Sequence, residues 1–123
     1  MTLEEYFEGR EESRRIFGAL RQAADGLDGI EIRVTKSQVA FCREKPFAWA
    51  WVPDRYLRGR HAPLVLTLAF ARKDPSPRWK QIVEPAGGRF THHLELHSEA
   101  DIDDEVRAWL RRAWSFCRGA ESE

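Results

Sequence analysis

Two cysteines, one methionine and a formal charge of zero are the scarce features of this 123-residue chain. Two thiols, Cys42 and Cys117, cannot build a disulfide scaffold or, unaided, a four-ligand zinc site. The longest uncharged apolar run, residues 62–71, is far short of the roughly 20 residues that a membrane-spanning helix needs. No basic-then-apolar leader opens the sequence, so a cytoplasmic location without a membrane partner is expected. There is no glycine-rich phosphate loop and no G-x-S-x-G elbow, which excludes two common catalytic frameworks. Lysine is scarce beside arginine, 4 against 16, a bias that suggests a GC-rich bacterial genome.

What the chain does have is bulk. Hydrophobic residues make up 42%, with five Trp and seven Phe, enough to fill a core and to exclude a disordered tail. The length fits one domain spanning residues 1–123. The zero net charge hides an uneven layout. Residues 1–29 carry a balance of −3, residues 30–93 one of +7, and residues 94–123 one of −4. A basic middle between acidic ends is either internal pairing or an anion-binding surface.

Thr2 and Glu5 have the spacing of a capping box, which predicts a short helix over residues 3–8. Ile16, Phe17, Leu20 and Ala24 recur at helical spacing and predict a second helix over residues 11–25. From Ile30 the period drops to two. Ile32 and Val34, then Val39 and Phe41, then Phe47, Trp49 and Trp51 alternate with smaller or polar residues, as three strands would. A fourth strand follows at Leu64, Leu66, Leu68 and Phe70, after a basic loop containing Arg55, Arg58, Arg60 and His61. Ser76 and Pro77 read as N-cap and first turn of a short helix ending near Val83. A fifth strand over residues 89–97 leads to a last helix striped by Ile102, Val106, Trp109, Leu110, Ala113 and Phe116. The expected fold is α+β: a five-stranded, mainly antiparallel sheet with the N-terminal and C-terminal helices on one face.

The alternation assigns Trp49 and Trp51 to the core face with Phe41, Phe47, Leu66, Leu68, Phe90 and Leu94. On that reading Trp49→Ala costs about 3–5 kcal/mol and Trp79→Ala much less. The opposite face then carries Ala40, Ala48, Ala50, Thr67, Ala69, His93 and Glu95, a floor of small residues with polar margins. Such a face serves as a shallow binding surface, a homodimer interface or a plain wetted sheet.

Three imidazoles and a carboxylate fall within residues 92–97, but His92 points away from His93 and His97. The latter two lie about 13 Å apart on an extended strand, so this strand alone cannot supply two zinc ligands. No metal and no cofactor are implied. His92, between Phe90 and Leu94 on the apolar face, reads as a buried hydrogen-bonded histidine or as a general acid or base at the core's edge. The basic and aromatic middle could combine phosphate contacts with base stacking, with Trp79 the tryptophan placed for exposure. The candidate ligand-binding positions are Lys36, Arg43, Trp79, His92 and His93, and no residue is assigned as catalytic.

At Val34-Thr-Lys-Ser-Gln-Val-Ala-Phe41, Pro46-Phe-Ala-Trp49, Ser76-Pro-Arg-Trp-Lys-Gln-Ile-Val83 and Phe90-Thr-His-His-Leu94 the chain resembles an uncharacterised family of small bacterial domains. The resemblance covers most of the sequence and implies a compact α+β domain, but no activity and no catalytic residue. A more distant likeness to YdhG-type α+β domains points to the same sheet-and-helices arrangement by analogy. The expected function is a non-catalytic binding or interaction module for an unknown ligand. The alternatives are a small enzyme using His92 or His93 with Arg43 or Lys36, a nucleic-acid-binding accessory domain, and a homodimer joined through the open face.

Overall fold

In the computed structural model, which describes residues 1–53 and 61–117, the chain opens on a capped turn. Thr2 Oγ1 accepts the Glu5 N–H at 3.1 Å and Glu5 Oε1 accepts the Thr2 N–H at 2.8 Å. This closes the expected capping box around α1 (Leu3–Tyr6). Helix α2 (Glu11–Ala23) presents Ile16, Phe17 and Leu20 inward. Six strands follow, β1 (Glu31–Val34), β2 (Val39–Arg43), β3 (Lys45–Trp51), β4 (Leu64–Phe70), β5 (Gln81–Ala86) and β6 (Arg89–Leu96). Helix α3 (Asp104–Cys117) ends the described chain, with Asp103 Oδ1 accepting the Val106 N–H at 3.1 Å as its cap. The strands form one antiparallel sheet in the order β1-β2-β3-β4-β6-β5. The α+β class stands, with six strands rather than five.

The added strand replaces the helix expected over residues 77–83. Its apparent start signals are satisfied locally: Asp74 Oδ2 accepts the Ser76 N–H at 3.1 Å, and Ser76 Oγ accepts the Arg78 N–H at 3.1 Å. Two consecutive side-chain turns thus use the groups that would have capped a helix. Ile82 and Val83 are β-branched, and Gly87-Gly88 returns the chain at once, with Gly88 at φ +75°. A left-handed position in a two-residue link is a hairpin signal, and β5 pairs β6 across it.

Strand β3 also departs from the expected register. Arg43 pairs Lys45 and Cys42 pairs Pro46, but Phe41 then pairs Ala48 rather than Phe47. Phe47 is the extra residue of a β-bulge, and one extra residue inverts every later position on the strand. Ala48 and Ala50 therefore face the core with Leu66, Leu68, His92 and Leu94, whereas Trp49 and Trp51 face away with Thr67 and Val65. The two alanines leave room for α3, which packs against β3 and β4. Phe47 itself remains buried, at 1% exposure.

Both longer helices cover the same sheet face. Phe17 of α2 stacks on Phe41 at 5.7 Å between ring centroids, and Leu110 and Ala113 of α3 are buried in the same cluster. The buried Tyr6 hydroxyl ties α1 to the sheet by donating to the Ser37 carbonyl and accepting the Val52 N–H. Part of the charge asymmetry resolves into pairing between the basic middle and the acidic end. Arg78 meets Asp103 at 3.1 Å and Glu105 at 2.8 Å. No helix among the described residues is long and apolar enough to cross a membrane.

Candidate functional site on the open sheet face

The five positions singled out from sequence do not converge. Lys36 lies exposed in the β1–β2 turn. Arg43, at the end of β2, stacks its guanidinium on the Trp114 ring of α3 at 4.5 Å. Trp79 and His92 meet each other on the helix-covered face, 4.8 Å apart between centroids. His93 alone projects from the open face, in register with Thr67.

His92 is fully buried. Its Nε2 accepts the Asp74 N–H at 3.0 Å, so its Nδ1 carries the hydrogen and donates to the Phe90 carbonyl at 3.1 Å. Burial pushes its pKa below the ordinary histidine value. With both nitrogens engaged and no solvent contact, the ring acts as a structural clamp on the loop entering β5. Trp79 completes that clamp. It packs on Trp109 at 4.1 Å and Phe70 at 6.0 Å, and donates its Nε1–H to Asp74 Oδ2 at 3.0 Å. Burial opposes ionisation of Asp74, but hydrogen bonds from Trp79, Ser76 and Arg112 outweigh it and hold the carboxyl below the usual range. The Arg112 contact is 2.8 Å. Trp79, expected to be exposed, is half-buried, with its ring stacked against the core.

The open face is built differently. Trp49, Trp51, Thr67, Arg89, Thr91 and His93 line a hollow of about 580 Å³, with Ser37 and Gln38 at the β2 margin and Pro85 at the β5 margin. Its floor is a hydrogen-bonded row. Trp51 Nε1–H donates to Thr67 Oγ1 at 3.0 Å, and Thr67 Oγ1 lies 2.8 Å from His93 Nδ1. Indole nitrogen is a donor only, so it occupies a lone pair of the hydroxyl. Thr67 is 7% exposed, and its hydroxyl hydrogen has no acceptor other than His93 Nδ1 among the described residues. A buried hydroxyl hydrogen is rarely left unbonded. The His93 ring hydrogen therefore sits on Nε2, and Nδ1 accepts from Thr67. Burial lowers the His93 pKa, favouring this neutral form.

Arg89 sits over the Trp49 ring at 5.9 Å and has no carboxylate partner among the described residues. A second hollow, of about 490 Å³, adjoins the first across Trp51 and His93 and reaches Pro53, His61, Lys80 and Glu95. There Lys80 Nζ lies 3.9 Å from one Glu95 oxygen, and His97 Nε2 lies 3.7 Å from the other. Arg55, Arg58 and Arg60 lie outside the described residues. Among the described residues no three metal-ligating side chains gather. Cys42 is buried, and burial raises its thiol pKa, away from reactivity.

Sequence reasoning missed Trp49, Trp51, Thr67 and Arg89 as a group because it placed both tryptophans in the core. The overlooked signal is Pro46. A proline near the start of a central strand is found chiefly at that first position or at a bulge, and here the bulge follows immediately.

The chain belongs to a family described as a domain of unknown function (DUF5655), whose model matches residues 3–117. No curated protein and no solved structure matches it.

Proposed function

We propose that the protein is a binding module without chemistry of its own, and that its ligand is a small molecule or chain end carrying a planar ring, seated on the open sheet face. The observation that carries this reading is the bulged register of β3, which turns Trp49 and Trp51 outward into a hollow of about 580 Å³. That volume is within the roughly 300–1,000 Å³ typical of small-ligand sites. Large aromatic rings kept half-exposed beside a few fixed polar groups are a recognition surface rather than wasted core material.

The pair Thr67–His93 has the spacing of a nucleophile and its base, yet its setting favours binding. The hydroxyl is almost fully buried and accepts from Trp51, and among the described residues no carboxylate is hydrogen-bonded to the imidazole. The relay holds a donor still; it does not free a nucleophile.

The test is titration of ¹⁵N-labelled protein with indole, benzoate and phenyl phosphate, alongside light scattering. The expected result is a monomer in which the Trp49 and Trp51 indole signals shift while those of Trp79 and Trp109 do not. Shifts confined to other tryptophans would sink the proposal. So would a stable dimer that buries Trp49 and Trp51.

A further inference from the structure

The groups around the first hollow are unequal in sign, and the inequality selects a ligand. Its charged and imidazole side chains are donors: the Arg89 guanidinium and His93 Nε2–H. The two threonine hydroxyl hydrogens are spent, and the Ser37 hydroxyl lies 3.3 Å from Thr35 Oγ1. Thr67 donates to His93, and Thr91 Oγ1 donates to the Val83 carbonyl at 3.2 Å. Among the described residues no carboxylate lines the hollow. A sugar presents many hydroxyl donors that each need an acceptor, and the described wall offers the Gln38 amide, the Ser37 hydroxyl and the Thr91 Oγ1 lone pairs but no charged acceptor. A ligand with acceptor atoms and negative charge fits the wall better.

Apolar area comes from two indoles. Trp49 and Trp51 are two residues apart on one strand, about 6.8 Å along it, so one planar ring can reach both. Arg89 is the cation of this hollow, and among the described residues it has no carboxylate within 4.0 Å. Arg15, Arg33, Arg78, Arg107 and Arg112 each have a carboxylate within 4.0 Å, whereas Arg89 rests on Trp49. An arginine held on an aromatic face with its N–H groups unspent is suited to a phosphate.

Building on the open-face reading, we infer that the ligand is a nucleotide unit, free or within a single strand. Its base lies against Trp49 and Trp51, its phosphate meets Arg89, and a base or ribose acceptor takes the His93 Nε2–H. Base-on-indole stacking is indifferent to sequence, so the site recognises the unit and not its order.

The experiment uses the same indole signals at low salt with AMP, adenosine, inorganic phosphate, maltotriose and an octamer of deoxythymidine. AMP should shift Trp49 and Trp51 and bind about tenfold more tightly than adenosine, the size of one charge-assisted contact. Arg89→Gln should remove that advantage while leaving adenosine binding unchanged, and its spectrum should keep the wild-type dispersion. An octamer binding at least ten times more tightly than AMP identifies a single strand as the source; equal affinities identify the free nucleotide. If maltotriose or benzoate shifts Trp49 and Trp51 and AMP does not, the nucleotide inference is overturned and the open-face site stands. If no probe moves these signals, both fall. AMP binding that Arg89→Gln leaves untouched would also overturn the inference.

Discussion

Replacing Trp79 and Trp49 by alanine in parallel measures which tryptophans hold the fold. Trp79 packs against Trp109, His92 and Phe70 and hydrogen-bonds Asp74. Full truncation of a buried tryptophan costs about 3–5 kcal/mol. Trp79 is half-buried, so part of that area is already in water, but Asp74 also loses a donor beside a carboxylate shielded from solvent. About 3 kcal/mol is the expected loss. Trp49 lies on the solvent face, where the Arg89 stacking contact is worth at most about 1 kcal/mol. Its truncation should cost about 1 kcal/mol. Urea unfolding followed by far-UV circular dichroism reads both, and unchanged m-values would show that the difference lies in the native state. A Trp49→Ala loss equal to or larger than that of Trp79→Ala would return Trp49 to the core and refute the bulged register.

Two further outcomes follow from the same geometry. Gly88→Ala should cost about 1 kcal/mol because it forces a side chain into the left-handed region at φ +75°, read by thermal or urea unfolding; no cost would mean that the β5–β6 hairpin is wrongly placed. His92 is held neutral by burial, so its folded pKa lies below the unfolded value near 6.5. Its contribution is complete above that value and is lost as pH falls towards the folded pKa, because only the unfolded chain takes up the proton. Unfolding free energy should therefore decline from pH 7 to pH 5, and His92→Phe should make that slope shallower, leaving the part that His93 contributes, while losing about 1–3 kcal/mol at pH 7 through the stranded Asp74 N–H. A slope unaltered in the variant would show that His92 is not the group responsible.

Much of this was legible from local chemistry. The Thr2–Glu5 capping box, the inward stripe of α3 and the opposed directions of His92 and His93 each depend on spacing alone, and the structure keeps all three. The misread parts are those where spacing is silent. Ser76 and Pro77 look like a helix start because a cap and a turn use the same side-chain-to-backbone bond; only the neighbouring strand β6 decides between them. Phe47, Trp49 and Trp51 alternate as faithfully as a core strand should, and alternation carries a period but no absolute phase. Tertiary packing sets the phase, through the alanines that let α3 approach the sheet.

The site and the core are therefore joined at one residue. Phe47 occupies the bulge and is buried, and its insertion is what keeps Trp49 and Trp51 in the hollow rather than under α3. Sliding β3 back by one position would bring two indoles into the space that Ala48 and Ala50 now occupy, against Leu66 and Leu68. Close-packed interiors do not accept added volume of that size. Overpacking on one side and the large ring of Phe47 anchored on the other hold the bulge in place. The open face keeps its tryptophans because the covered face has no room for them.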